Sequence, residues 1–324
     1  MIDGAILEGL RRAGLIGDID QVIEELSGGV SCDVWKLETP ARAIVVKRAL
    51  PKLRVESDWF APVDRAGSEA RWLRRVRSID AGLAPEVLVE LPELHAFALA
   101  FVPDAPVWKD ELIAGRVDID FAAAVGRDLA RIHAATADSP IDAAAFRVDA
   151  LFNALRIDPF LRFVAENHSD VAAPLTSIAD SLSTAKVTLI HGDVSPKNIL
   201  VGVDGPVFLD AECAVYGDPA FDLAFCATHL LLKALWRRDE QLTKAAAALE
   251  IAYRGGVGWE PADNLLDRAG ALTAALLLAR VDGKSPAPYL TDLADQAIVR
   301  KRASTLLHAP QSLAKIIAEW KFKP

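Results

Sequence analysis

Cysteine is scarce in this sequence. The 324 residues include three cysteines, Cys32, Cys213 and Cys226, which is an odd number and shows no CxxC spacing. Disulfide-stabilised folds and structural zinc sites need paired or closely spaced cysteines. The sequence therefore argues against a disulfide framework and against a zinc site, and it favours a reducing, cytoplasmic compartment.

A surplus of basic residues is also missing. Lysine and arginine together number 36, against 45 aspartates and glutamates, which gives a net charge of −9. Non-specific binding to nucleic acid usually requires a basic surface. No nucleic-acid partner is therefore expected.

Long apolar runs are absent too. Residues 271–279 form one of the longest, and this is well short of the roughly 20 residues that a helix needs to cross a bilayer. The segment Met1-Ile2-Asp3-Gly4 carries an acid early and no basic region before an apolar run, unlike a signal peptide. No membrane association is expected.

What the sequence does contain is enough apolar residues, 52% of the total, for a sizeable core in two lobes. Strand patterns and one strong helix pattern precede Pro103, and helical patterns dominate after it. The prolines within 102–106 suit a linker, because proline fixes φ and removes an amide donor. We predict an N-terminal lobe over residues 1–102 and a C-terminal lobe over 103–324.

Patterning before this linker predicts four strands around one helix. The strands are 30–38, 42–47, 85–91 and 97–102, the first two forming a hairpin. The helix covers 65–77, where apolar residues recur at helical spacing after Asp64 as the N-cap. Further helices are predicted over 3–16, from Asp218-Pro219 through at least Leu231, and near 240–254, 262–280 and 289–306.

The most specific motif lies at residues 191–198, which read HGDVSPKN, or HGDxxxxN. Apolar runs flank it at 187–190 and 199–201, and a third run at 207–209 leads to Asp210. Phosphoryl transfer needs such a layout. One carboxylate orients the attacking hydroxyl, while an amide oxygen and a second carboxylate hold Mg²⁺ on the nucleotide phosphates.

This pattern resembles the catalytic loop and metal-binding aspartate of the aminoglycoside phosphotransferase and choline-kinase-like family. The resemblance covers roughly residues 20–285 and is most specific at 187–225. It implies an α+β, bilobal protein-kinase-like fold with a small antiparallel-sheet N-lobe and a larger, mainly helical C-lobe. It also implies an enzyme that uses ATP and Mg²⁺ to phosphorylate a small-molecule hydroxyl. Asp193 would be the catalytic base, and Asn198 and Asp210 the metal ligands.

Residues 26–35 contain a glycine-rich segment before a strand. By itself a Gly-Gly pair is typical of a plain turn, although glycine also lets the backbone approach a phosphate closely. The resemblance assigns Gly28, Gly29 and Ser31 to a nucleotide-binding loop. It also places the adenine against the backbone of the linker, near Ala100 and Val102.

Lys47 closes the apolar run at 44–46, and Glu69 lies on the inward stripe of the helix that follows. An inward-facing carboxylate is costly unless it is paired. We predict a Lys47–Glu69 ion pair that serves the nucleotide phosphates, with Glu56 as the fallback partner.

Other polar residues near the motif admit more than one interpretation. Glu212 is predicted to contact the substrate, and metal support or a solvated carboxylate are its alternatives. His191 is expected to bond loop carbonyls. Asp222 is expected to brace the loop from the inside, and Asp218 to cap the following helix. Lys197 is expected to face solvent.

A second resemblance concerns residues 47–54, Asp58-Trp59 and the Glu69 helix, which are similar to the N-lobe of methylthioribose kinases. The chain departs from those enzymes at Asn198, where they usually have a shorter residue, and at Ala211-Glu212-Cys213, where they have Pro-Glu-Phe. The acceptor is therefore open between an aminoglycoside, an amino alcohol and a methylthioribose-like sugar. The negative net charge is compatible with a cationic one.

Two other functions stay open. The first is a non-catalytic nucleotide-binding protein on the same fold, and the second is a protein kinase. A degenerate kinase usually loses its lysine, base or metal ligands, whereas this chain keeps them all. No clear APE-type segment follows Asp210, and the early helix at Pro219 leaves little room for an activation loop. Both arguments favour a small-molecule kinase. The sequence gives no indication of oligomeric state.

Overall fold

The computed structural model describes residues 2–17, 22–26, 31–39, 41–54 and 60–322. The strands are β1 Val22–Glu25, β2 Cys32–Glu38, β3 Ala43–Ala49, β4 Val87–Leu91, β5 Ala96–Ala100, β6 Thr188–Ile190, β7 Ile199–Gly202, β8 Gly205–Phe208 and β9 Val215–Gly217. The helices are α1 Gly4–Arg12, α2 Arg65–Ile79, α3 Trp108–Ile113, α4 Ile119–Thr136, α5 Pro140–Ala145, α6 Asp149–Phe152, α7 Phe163–Asn167, α8 Ala172–Thr184, α9 Ala220–Arg237, α10 Glu240–Arg254, α11 Ala262–Asp282, α12 Leu293–His308 and α13 Leu313–Ala318. A π-helical stretch, Asn153–Arg162, joins α6 to α7, and short 3₁₀ turns occur at Pro92–Leu94 and Pro196–Asn198. None of the helices in these described ranges is long and apolar enough to span a lipid bilayer.

The N-terminal sheet has five antiparallel strands in the order β1-β2-β3-β5-β4. Successive side chains of a strand point to opposite faces, and burial follows this alternation. Trp35, Val46 and Ala98 form one apolar cluster with α1 on one face. Phe97 belongs to the other cluster, with α2, on the opposite face. Lys47 follows Val46 in β3, so it too points to the face that carries α2.

Helices α9 and α11 form the centre of the helical region. Every residue of α9 from Ala220 to Leu235 is buried, because α10 and α11 cover it. Helix α4 packs against α10 at very short range. A Cβ atom at Gly126 would lie 2.2 Å from the main-chain oxygen of Leu249, so only glycine permits this approach.

Two short antiparallel ladders interrupt the helices and position the polar loops. Strand β6 pairs with β9, with Ile190 opposite Val215. Strand β7 pairs with β8, with Ile199 opposite Phe208. The second ladder is nested within the first along the chain, so the loop between β6 and β7 lies beside the segment between β8 and β9. These two segments hold the HGDxxxxN motif and Asp210.

The structure differs from the sequence-based elements in several places. Strands β1 and β9 were not predicted, since β1 is exposed along its whole length and β9 is very short. Strand β4 begins at Val87 rather than at residue 85. Asp64 does not cap α2 through its side chain, because its backbone is already helical, with φ −61° and ψ −11°.

Candidate active site

A buried carboxylate holds the loop between β6 and β7. Asp222, in the first turn of α9, accepts hydrogen bonds from the N–H groups of His191, at 2.7 Å, and Gly192, at 2.8 Å. The Nε2 atom of His191 lies 2.9 Å from the carbonyl oxygen of Leu209. Gly192 has a φ of +76°, and a Cβ atom there would lie 2.5 Å from the main-chain oxygen of Cys213. Asp222 and His191 thus hold the loop as expected. Position 192 requires glycine, because a side chain there would collide with the main chain of Cys213.

Asp193 follows in this loop and is surrounded by donors. Its Oδ2 atom lies 3.0 Å from Arg156 Nη2, 3.1 Å from Lys197 Nζ and 2.8 Å from Asn198 Nδ2. Burial alone would raise the pKa of Asp193, but Arg156 and Lys197 outweigh it and hold the pKa below its usual range. The carboxylate is therefore ionised at neutral pH. It can accept a hydrogen bond, although it is a weak base.

Two of these neighbours differ from the sequence-based interpretation. Lys197 does not simply face solvent, because its amine contacts Asp193 while 47% of its side chain stays exposed. Arg156 was not anticipated at all. It lies in the π-helical stretch, and its Nε atom donates to the main-chain oxygen of Gly192 at 2.6 Å. No sequence signal distinguishes it from the other arginines, because helical periodicity fails in a π-helix.

Lys47 lies between two carboxylates. Its Nζ atom is 2.6 and 2.7 Å from the two carboxylate oxygens of Glu69, and 2.6 Å from Oδ1 of Asp210. Burial would lower the pKa of Lys47, but Asp210 and Glu69 raise it well above its ordinary value. Burial also raises the pKa of Glu69 to about 7, against the opposing effect of Lys47. One ammonium group thus joins β3, α2 and the segment after β8.

Asp210 and Asn198 present oxygen atoms from the two nested segments. Asp210 has a φ of +64°, a conformation that costs a residue other than glycine about 1–2 kcal/mol. Asn198 donates through Nδ2 to the main-chain oxygen of Asp193, at 3.0 Å, and to its carboxylate. Because the amide is planar, its oxygen points away from Asp193.

The donor set fits a magnesium ion bound together with a nucleotide. Within the described part of the chain, no group of three or more His, Cys, Asp or Glu side chains could hold a metal by itself. Magnesium is usually bound by one or two protein oxygens, with phosphates and water completing the shell. Asn198 and Asp210 offer that number.

A cleft of about 1390 Å³ lies between the sheet and the helical region. Its lining includes the predicted nucleotide-site residues Ser31, Lys47, Glu69, Ala100 and Val102, together with Asp193, Asn198, Asp210 and Glu212. The N–H of Ala100 donates to the carbonyl of Glu86 at 2.9 Å and is already used. The N–H of Val102 makes no main-chain hydrogen bond within the described ranges. Gly28 and Gly29, and the fallback residue Glu56, lie outside the described residues.

The structure gives Glu212 a partner that lies far from it in the sequence. Its Oε2 atom lies 2.9 Å from Nε of Arg65, and both side chains are buried. The same guanidinium donates to the main-chain oxygens of Ser31 and Leu50, each at 2.6 Å. Glu212 is therefore buried and paired, which excludes the solvated carboxylate, whereas its contact with the substrate stays a prediction. The available signal was Arg65, which precedes Glu69 by four residues on the inward face of α2.

Comparison with known proteins adds two findings. Residues 22–265 match the phosphotransferase enzyme family. The methylthioribose kinase of Bacillus cereus (strain G9842) is 25% identical over 253 residues, which cover 68% of this chain and 63% of that protein. The chain thus matches less than two thirds of the length of that relative.

Solved structures share the fold at low identity. An amicoumacin kinase in complex with AMP-PNP, Ca²⁺ and Ami has a TM-score of 0.59 and 12% identity, with 96% of this chain and 95% of that one covered. A choline/ethanolamine kinase family protein from Mesorhizobium loti has a TM-score of 0.56 and 17% identity, with coverage of 98% and 99%. The predicted fold class, α+β and kinase-like, is confirmed.

Proposed function

The chain belongs to the phosphotransferase enzyme family, and we propose that it transfers the γ-phosphoryl group of ATP to a hydroxyl group of a small molecule. One observation carries this proposal. Lys47, Asp193, Asn198 and Asp210 all line the same cleft, although they come from separate segments of the chain. These are the group types that phosphoryl transfer requires.

The sheet side of the cleft is suited to the nucleotide. We place the adenine against residues 100–102, where the N–H of Val102 is available and that of Ala100 is not. The triphosphate would extend toward Ser31 and Lys47, with Gly28 and Gly29 contributing as the sequence predicts. Glu69 would hold the Lys47 ammonium in place, so that its charge offsets that of the phosphates.

Asn198 and Asp210 would hold Mg²⁺ on these phosphates. When bound, the ion neutralises the charge that develops on the transferred group. In the structure Asp210 contacts Lys47 through Oδ1. The lowered pKa of Asp210, which Lys47 and Lys197 maintain against the effect of burial, keeps this carboxylate ionised and able to bind a cation.

Asp193 would orient the acceptor. The acceptor oxygen forms a bond to the γ-phosphorus, while the bond between that phosphorus and the β–γ bridging oxygen breaks. ADP leaves with the electron pair, and the hydroxyl proton passes to Asp193 and then to water. Because the pKa of Asp193 is lowered, proton transfer is late and positioning contributes most of the rate. Arg156 and Lys197 fix the carboxylate in the loop.

A non-catalytic nucleotide-binding protein is the alternative. In such a protein the lysine, the base and the metal ligands can be replaced without loss of function. Here all of them are present, with Lys47 in contact with Asp210 and Asn198 in contact with Asp193, which favours catalysis.

Calorimetry and an ADP-release assay test the proposal. We expect ATP to bind in the presence of Mg²⁺ and to bind more weakly with EDTA. Asp193→Asn should retain ATP binding and lose about 10² to 10⁴-fold in turnover. The matched control is Asp204→Asn, which makes the same charge change at an exposed turn. Absence of ATP binding, or an Asp193→Asn variant as active as the control, would overturn the assignment.

A further inference from the structure

The helical wall of the cleft carries a second cluster of polar groups, away from Lys47. It consists of His229, Lys233, Arg280 and Tyr289, with Phe160 and Phe225 between them and Asp193. We call these six residues the basic pocket. Phe225, His229 and Lys233 follow one another at intervals of four on α9, so they share one face of that helix. Arg280 comes from α11 and Phe160 from the π-helical stretch.

Lys233 is a buried amine that lacks an anionic partner among the described residues. It is 2% exposed. Within the described part of the chain its Nζ atom makes no hydrogen bond or ion pair, and it lies 4.6 Å from the ring centre of Tyr289. Burial, and then the neighbouring Arg280, lower the pKa of Lys233 to about 7. An unpaired buried charge is unfavourable, so an anionic ligand would stabilise the protonated form of this amine.

The other members of the pocket have unused donors as well. Arg280 donates to the main-chain oxygen of Ser285 and, at 3.1 Å, to its hydroxyl, yet its Nε atom is buried without a hydrogen-bond partner among the described residues. The hydroxyl group of Tyr289 is likewise buried and unpaired. Burial and the surrounding cations hold the pKa of His229 well below its ordinary value, so this ring is neutral.

The acidic residues of the cleft are engaged elsewhere. They pair as Glu69 and Asp210 with Lys47, Asp193 with Arg156 and Lys197, Glu212 with Arg65, and Asp110 with Lys109. The remaining one, Asp104, is exposed at the linker. In the described ranges, no carboxylate of the cleft therefore pairs with Lys233 or Arg280.

The basic pocket is close to the reaction centre. The guanidinium of Arg156, which contacts Asp193, lies 5.8 Å from the ring centre of Phe160 and 5.8 Å from that of Phe225. Phe225 in turn packs against His229, with 5.1 Å between ring centres. A small molecule with its hydroxyl at Asp193 would thus extend over these rings toward Lys233 and Arg280.

We propose that the acceptor is a small hydroxylated anion, whose carboxylate or phosphate-ester group binds Lys233 and Arg280 while its hydroxyl meets Asp193. This inference rests on the proposed phosphotransferase function and deepens it. It replaces the cationic acceptor that the net charge of the chain suggested. The positive charge of the pocket acts on the acceptor at close range, so it matters more for acceptor binding than the negative net charge of the whole molecule.

A series of acceptors on one scaffold tests the charge preference. Glycerate, glycerol 3-phosphate, glycerol and 3-amino-1,2-propanediol carry a carboxylate, a phosphate ester, no charge and an amine, respectively, on the same diol. Binding of each to the Mg·ADP-saturated enzyme is measured by calorimetry, and ADP release is measured with Mg·ATP. We expect at least one anion to bind about tenfold or more tightly than the amine, and the two anions to distinguish a carboxylate site from a phosphate site. Equal or tighter binding of the amine would overturn the proposal.

Sulfate binding tests whether Lys233 binds an anion, and it does so without requiring catalysis. Titrated into the Mg·ADP-saturated protein, sulfate should bind at least tenfold more weakly to Lys233→Met than to the wild type. Lys244→Met, at an exposed site on α10, is the matched control and should bind sulfate like the wild type. Equal affinity in all three proteins, or no binding to the wild type, refutes the assignment. Failure of ATP to bind instead contradicts the phosphotransferase function, which is measured separately.

Discussion

Replacing Lys233 by methionine should stabilise the protein when no acceptor is bound. The pKa of Lys233 falls from 10.5 to about 7 because of burial and the charge of Arg280. At about 1.4 kcal/mol for each unit of pKa, the charged amine costs up to roughly 5 kcal/mol below pH 7. Because the cleft admits water, the realised gain from an apolar side chain of similar length should be about 1–4 kcal/mol.

The pH dependence of this effect has a definite sign. The charged or titratable groups that act on Lys233 are Arg280, Lys109 and Cys226, with His229 and Tyr289 also lining the pocket. Between pH 7 and 10.5 the unfolded chain keeps the Lys233 proton that the folded protein releases, so wild-type stability rises with pH. The advantage of the variant should therefore be largest below pH 7 and should shrink toward pH 10.5.

Urea unfolding at pH 6 and pH 9 measures this difference. Lys244→Met is the control and should show no advantage at either pH. Saturating sulfate should remove the advantage, because an anion bound to the folded wild type stabilises it. If Lys233→Met is less stable than the wild type at pH 6, the amine has an anionic partner. If the difference in unfolding free energy between the two proteins is the same at both pH values, the pKa of Lys233 is not lowered. Either result refutes the reasoning.

Three other predictions follow from contacts in the cleft. Lys47→Met and Glu69→Gln should each weaken Mg·ATP binding, and the double variant should be little worse than either, as double-mutant calorimetry would reveal; additive losses would mean that the two act separately. Glu212→Gln should lower the urea midpoint by the equivalent of about 1–3 kcal/mol, because it leaves the buried Arg65 charge without an anion; a raised acceptor KM with unchanged stability would restore Glu212 as a substrate contact. Gly192→Ala should lose activity or fold poorly, since the added Cβ would meet a main-chain oxygen at 2.5 Å, and circular dichroism with the ADP-release assay separates these outcomes.

The sequence was informative where chemistry and local pattern coincide. Strand alternation places Lys47 on the face opposite Val46, and helical spacing places Glu69 on the inward stripe of α2, so their contact could be anticipated. The HGDxxxxN motif likewise contains both the predicted base, Asp193, and one of the two predicted metal ligands, Asn198, within a few residues. The bracing carboxylate Asp222 also falls in a local pattern, three residues after Pro219 in Asp218-Pro219.

Contacts between distant segments could not be anticipated in the same way. The Arg65–Glu212 pair joins the start of α2 to the segment after Asp210, and the spacing that turns Arg65 inward does not show which residue it contacts. Arg156 lies where the helix departs from regular periodicity. The basic pocket did leave a trace, because His229 and Lys233 are polar residues four apart in the mainly apolar second half of α9. The pattern alone does not indicate whether these two residues pair with a buried carboxylate or line a cleft.

The two nested ladders hold the residues proposed to act on the phosphates, and the residues proposed to bind the charged group of the acceptor lie on other elements. Strands β6 to β9 fix the spacing of Asp193, Asn198 and Asp210, whereas Lys233 and Arg280, the proposed contacts for the anionic group of the acceptor, project from α9 and α11. A change of specificity therefore needs no insertion or deletion near the reacting groups. Redesign of the acceptor site can be confined to helix-borne positions such as 233 and 280, where a substitution alters the charge presented to a ligand and leaves the phosphate-handling frame untouched.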